Sequence, residues 1–139
     1  MNPFYFGTSE RPLFGVYHPA RSQQARDAGV VLCHPFGWEY MRTHRAFRQL
    51  AGRLTDVGFP VLRFDYSGTG DSAGDGREAS LGQWLDDLSA AIDEIEDTAG
   101  VRRVSLIGLR LGAALAARAA TTRPDLDRLI LWNPVVTGS

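Results

Sequence analysis

The chain contains no lysine; all 15 of its basic residues are arginines. That removes Schiff-base chemistry and the lysine of a phosphate-binding P-loop. Cys33 is the single cysteine, so neither an internal disulfide nor a cysteine-rich zinc site can be built. The three histidines are His18, His34 and His44, and none follows over residues 45–139. No apolar run approaches the ~20 residues of a membrane span, and the N-terminus lacks the basic segment of a signal peptide. Charge is also scarce in the net. At −1, with a pI near 6.3, no global field recruits nucleic acid or an anionic membrane. The composition predicts one cytoplasmic domain over residues 1–139, with no cofactor, no metal, no nucleic-acid partner and no membrane span.

The apolar pattern alternates between strand and helix signals. Residues 4–6 and 13–17 read as two short strands around a Gly- and Pro-containing turn. Residues 29–33 form a continuous apolar run, as expected of a strand covered on both faces. Phe47, Leu50, Ala51, Leu54 and Val57 recur at helical spacing until Gly58 stops them, which places His44 at the opening of that helix. A strand follows over 60–66 and a glycine-rich loop over 67–72. Ser80 and Gln83 form a capping box in front of the stripe Leu81, Trp84, Leu85, Leu88, Ile92 and Ile95. Strands over 104–109 and 127–132 enclose a helix over 111–123. This predicts an α/β fold, a mostly parallel sheet flanked by helices on both faces. Ligands of such sheets sit beyond the carboxyl ends of the strands.

The candidate site therefore lies among the loops 34–38, 67–72, 110–112 and 133–137. Gly108-Leu109-Arg110-Leu111-Gly112 has the layout of a nucleophile elbow, G-x-S-x-G, with arginine where serine is expected. The loop Ser67-Gly68-Thr69-Gly70-Asp71-Ser72 lacks the third glycine of a dinucleotide fingerprint, and no helix opens from it. A tight turn around Asp65 and Asp71 is the better reading. Ser67 and Ser72 are turn residues with no evident base, Ser105 lies inside a strand, and Cys33 reads as a buried strand residue.

On these motifs the chain resembles the N-terminal half of an α/β-hydrolase-fold protein of the serine aminopeptidase-like type. It is similar to the hydrolases associated with bacterial exosortase systems. His34-Pro35-Phe36-Gly37 matches the oxyanion loop, Asp65 to Ser72 the D-x-R-G-x-G-x-S turn, and Leu131 to Val136 the strand after the elbow. The resemblance implies ester or amide hydrolysis, with serine at position 110 in an active member. Backbone donors at Phe36 and Leu111 would form the oxyanion hole, beside Gly37 and His34, with an acid and a histidine later in the chain. This sequence departs at Ser67, which replaces the arginine of the turn, and at Arg110. Arginine stays protonated and has no lone pair to offer as nucleophile. After it, Asp125 and Asp127 are the only carboxylates, and no histidine follows.

Two functional expectations result. One is a hydrolase-family chain lacking the nucleophile and its partners, and inactive by itself. The other is a non-catalytic module in which Arg110 and the adjoining amides bind a small carboxylate, ester or phosphate, or a partner. The alternative for Arg110 is a pairing with Asp65 or Asp71, or simple exposure. A complete hydrolase of this type is about twice as long. Ending near an apolar last strand leaves an open sheet edge, so the sequence is expected to be a fragment, or to self-associate or pair with a second chain.

Overall fold

The computed structural model describes residues 2–8, 12–22, 24–35, 38–67 and 81–132. Among the described residues six strands form one sheet: β1 (Asn2–Gly7), β2 (Pro12–His18), β3 (Ala28–Cys33), β4 (Val61–Phe64), β5 (Arg103–Leu109) and β6 (Leu129–Trp132). Their spatial order is β1-β2-β4-β3-β5-β6. The β1–β2 and β2–β4 pairs are antiparallel, and β4–β3, β3–β5 and β5–β6 are parallel. The mostly parallel sheet expected from the alternating pattern is present.

Three helices cover it: α1 (Trp38–Asp56), α2 (Leu81–Ala99) and α3 (Leu111–Thr122). All six residues of β3 are buried because it is covered on both sides, and its side chains divide between two cores. Val31 and Cys33 face Leu88, Ile92 and Ile95 of α2 and Leu115 of α3. Val30 and Leu32 pack with Phe47 and Ala51 of α1. Continuous apolar strands are the signature of this two-sided burial.

Several boundaries differ from the sequence reading. Helix α1 begins at Trp38, a residue read as loop, so His44 lies in its second turn and does not open it. The helix ends at Asp56, and Val57 is 52% exposed instead of joining the buried stripe. Gly58, at φ 102°, reverses the chain there, and the Phe59 N–H donates to the Leu54 carbonyl at 3.0 Å. A side chain at 58 would also collide with the Gln24 carbonyl. Strand β4 is shorter than 60–66, and the Asp65 N–H donates to Phe14 of β2 at 2.9 Å. Trp84 and Leu85 are only half-buried at the end of the α2 stripe. Ser80 and the 68–72 turn fall outside the described residues.

Between β2 and β4 lies a buried pair that sequence spacing did not show. The Arg63 Nε donates to His18 Nε2 at 2.9 Å, and the two residues are 9% and 8% exposed. A neutral imidazole is required to accept that bond. Burial, then Arg63, the N-terminus, Arg48 and Arg21, push the His18 pKa down to about 4. An unfolded chain binds this proton near pH 6.5, so between about 6.5 and about 4 it holds a proton the native state refuses. Stability is therefore full above 6.5 and falls as pH drops through that window. Urea midpoints are expected to fall from pH 7.5 to pH 4.5. His18→Gln, whose amide oxygen can still accept from Arg63, is expected to flatten part of that slope; an unchanged slope would contradict this role.

Candidate active site

The polypeptide turns tightly where β5 leads into α3. Arg110 has φ 58° and ψ −121°, the only positive φ outside glycine among the described residues. Such a conformation costs an L-residue about 1–3 kcal/mol and persists only where the surroundings enforce it. The enforcement is visible. A Cβ on Gly108 would lie 2.5 Å from Ala113 Cα and 2.7 Å from its nitrogen, and one on Gly112 would overlap the Cys33 carbonyl. Both flanking glycines thus let backbone approach backbone. The Arg110 N–H donates to Trp132 at 3.1 Å, and its carbonyl accepts from Ala113 at 3.0 Å and Ala114 at 3.2 Å.

The arginine side chain is half-buried at the start of a 12-residue helix. Leu111 and Gly112 are first-turn residues, whose N–H groups have no carbonyl within the helix to bond. They add the positive end of the helix dipole to the guanidinium charge. The expected donor Leu111 is therefore placed beside Arg110. The expected oxyanion-loop residues Phe36 and Gly37, and Asp71 of the turn, lie outside the described residues.

His34 and Asp65 end the neighbouring strands β3 and β4, and both are buried. The His34 Nδ1–H donates to the Pro35 carbonyl at 2.8 Å, while Nε2 stands 3.9 Å from Asp65 Oδ1. Burial lowers the His34 pKa, against the raising effects of the Pro35 bond and Asp65, so the ring is neutral. With Arg63, His44, Leu32 and Phe47 they border a cavity of about 40 Å³. That is room for a water-sized group, not for an acyl substrate. Cys33 is fully buried and its thiol is pushed up to about 12, chiefly by that burial, so it is inert as a nucleophile.

Ser67, which stands in place of the arginine of the turn, is also accounted for. Its N–H and hydroxyl both donate to Asp87 of α2, at 2.7 and 2.9 Å, and its carbonyl accepts from Trp84 at 3.1 Å. Gln83 adds a third bond to the same carboxylate at 3.1 Å. Ser67 anchors the end of β4 to α2, and Asp87 is the residue sequence reasoning missed. Its position as the one acid among the apolar side chains Trp84, Leu88 and Ala91 was the available signal.

Comparison with known proteins meets this geometry. The family model for serine aminopeptidase, S33, matches residues 24–139. The chain belongs to that family. Over 69 residues, half of this S33-family chain, it is 39% identical to the human protein named palmitoyl-protein thioesterase ABHD10, mitochondrial, of which the match covers 21%. Among solved structures, an α-β serine hydrolase homologue from Coxiella burnetii superposes with a TM-score of 0.74 at 22% identity. That match covers 88% of this chain and 59% of the other. The esterase Est1E from Butyrivibrio proteoclasticus, solved with ferulic acid, gives 0.75 at 21%, covering 92% and 50%. The family's α/β-hydrolase fold is thus shared. The S33-family chain spans about half of these structures, and the matched 69 residues span about a fifth of the thioesterase. No helix among the described residues is long and apolar enough to cross a membrane.

The elbow's strain is measurable. Arg110→Gly is expected to raise stability by about 1 kcal/mol, because glycine accepts positive φ without penalty. Gly112→Ala is expected to cost at least about 3 kcal/mol, since its methyl must displace the Cys33 carbonyl. Urea unfolding of both variants checks the pair; equal midpoints would mean that the elbow is relaxed.

Proposed function

We propose that the elbow of this chain binds an anion where its relatives' fold would place a nucleophile, and that these 139 residues do not hydrolyse acyl substrates on their own. The observation that carries this reading is Arg110 held at φ 58° between Gly108 and Gly112. The turn that would lift a nucleophile above the sheet instead presents a permanent cation with no lone pair. Arginine at position 110 has no proton that a neighbouring base such as His34 could remove to make a nucleophile.

The guanidinium fork and the first α3 amides suit a carboxylate or phosphate. A carboxylate on an acyl chain is the preferred ligand. The family's chemistry is acyl transfer, one relative is named a palmitoyl-protein thioesterase, and thioester hydrolysis leaves a carboxylate. Calorimetry with hexanoate and with inorganic phosphate is expected to show binding by the wild type. A charge-assisted pair is worth about 1.5–3 kcal/mol, so Arg110→Ala should weaken binding by about 10- to 100-fold. Turnover of a p-nitrophenyl ester should stay at the buffer rate. Equal affinity in wild type and Arg110→Ala, or ester turnover abolished by Ser72→Ala or Cys33→Ala, would overturn the proposal.

A further inference from the structure

Charge is nearly balanced in the whole chain, at net −1, but it is not evenly spread over the fold. Helices α1 and α2 lie back to back on opposite faces of β3 and β4, and their outer sides carry opposite signs. Helix α1 turns Phe47 and Ala51 toward the sheet, so helical spacing sends Arg45, Arg48 and Arg53 outward, and all three are exposed. Asp56 is the one acid over residues 43–56, and it is already paired with Arg21 at 2.9 Å. The arginines therefore leave uncompensated positive charge along roughly 12 Å of helix.

Helix α2 contains no basic residue. Leu88, Ile92 and Ile95 are buried, which places Asp86, Asp93 and Asp97 on an exposed outer ridge. That ridge runs roughly 17 Å. Glu94 and Glu96 are half-buried beside it. Helix α3 offers Arg123, 2.9 Å from Asp93 and 3.6 Å from Glu96, and Arg118 in the groove beside Asp86. Carboxylates remain in excess. Asp93, Glu94, Glu96 and Asp97 also occupy the last two turns of α2, the negative end of its dipole, where cations are favoured and acids are not.

We propose that the α1 face of one copy docks on the α2 face of a second copy, with Arg45, Arg48 and Arg53 laid along Asp86, Asp93 and Asp97. Gly52 lies among the arginines and Ala90 between Asp86 and Asp93, and small side chains at a crossing let helices approach to about 8–10 Å. A net charge close to zero leaves little overall repulsion between copies. The two faces point in opposite directions, so the contact is heterologous and open-ended: every added copy leaves one α1 and one α2 free. Exposed ion pairs contribute only about 0–1 kcal/mol each, so the association is weak, reversible and governed by salt. A polyanion or an anionic membrane would answer α1 alone, whereas a second copy answers both helices.

Light scattering of the 139-residue chain near neutral pH tests this. At about 10 mM salt, where the screening length is about 30 Å, the average mass is expected to climb with concentration past that of a dimer. At about 1 M, where that length is about 3 Å, it should fall. Arg45→Glu with Arg53→Glu makes both faces acidic, and Asp86→Arg with Asp97→Arg makes both basic. Each double variant alone is expected to keep its far-UV circular dichroism and lose the salt-dependent rise. Mixed in equal amounts, the two are expected to regain it. A wild-type mass that salt does not lower, a double variant that associates as the wild type does, or a mixture without the rise overturns the proposal. So does a wild type that stays monomeric yet adsorbs to phosphatidylglycerol vesicles through Arg45 and Arg53, because a lipid surface would then be the occupant.

Discussion

A methyl group on residue 112 would have to occupy space already held by the carbonyl oxygen of Cys33. This close approach ties three elements together. It sets the depth at which α3 enters, holds the end of β5 against the end of β3, and forces Arg110 into a backbone region that L-residues avoid. Gly108 repeats the constraint one step earlier against Ala113. Two glycines and a crowded floor therefore define the elbow, independently of what residue 110 carries. The same turn that would carry a serine here carries a half-buried arginine.

The chemistry changes with the occupant and the frame does not. Serine needs a base to become a nucleophile, and arginine has no such state. In the proposed reading the elbow acts electrostatically, through the arginine charge, the first amides of α3 and the dipole behind them. The polar residues near the neighbouring strand ends are engaged in architecture. His34 holds Pro35, Ser67 holds Asp87, and Arg63 holds His18. The Ser67 link ties the end of β4 to α2, and the Arg63 link ties β4 to β2.

Much of this was legible in order along the chain. The run Gly29–Cys33 announced a doubly covered strand, and Gly108-x-Arg110-x-Gly112 announced the elbow, because both signals are local. The order β1-β2-β4-β3-β5-β6 was not legible, since nothing local says that β2 lies beside β4. With that neighbour unknown, the bond between His18 and Arg63, 45 residues apart, was also invisible. Ser67 and Asp87 escaped for the same reason: a turn residue reaches a helix 20 residues later. The start of α1 was read too late because its apolar stripe becomes regular only from Phe47. Val57 fits the helical spacing, but the helix ends one residue before it at Asp56, so its side chain leaves the buried face.

The central claim is that a strained, glycine-flanked elbow is kept here to present a cation and amide donors to an anion. An amide-resolved NMR titration of the 139-residue chain with hexanoate tests it most directly. The account predicts the largest, saturable shifts at the Leu111 and Gly112 amides and at Arg110 Nε–H. Shifts confined to other parts of the chain, or none at saturating ligand, would contradict it.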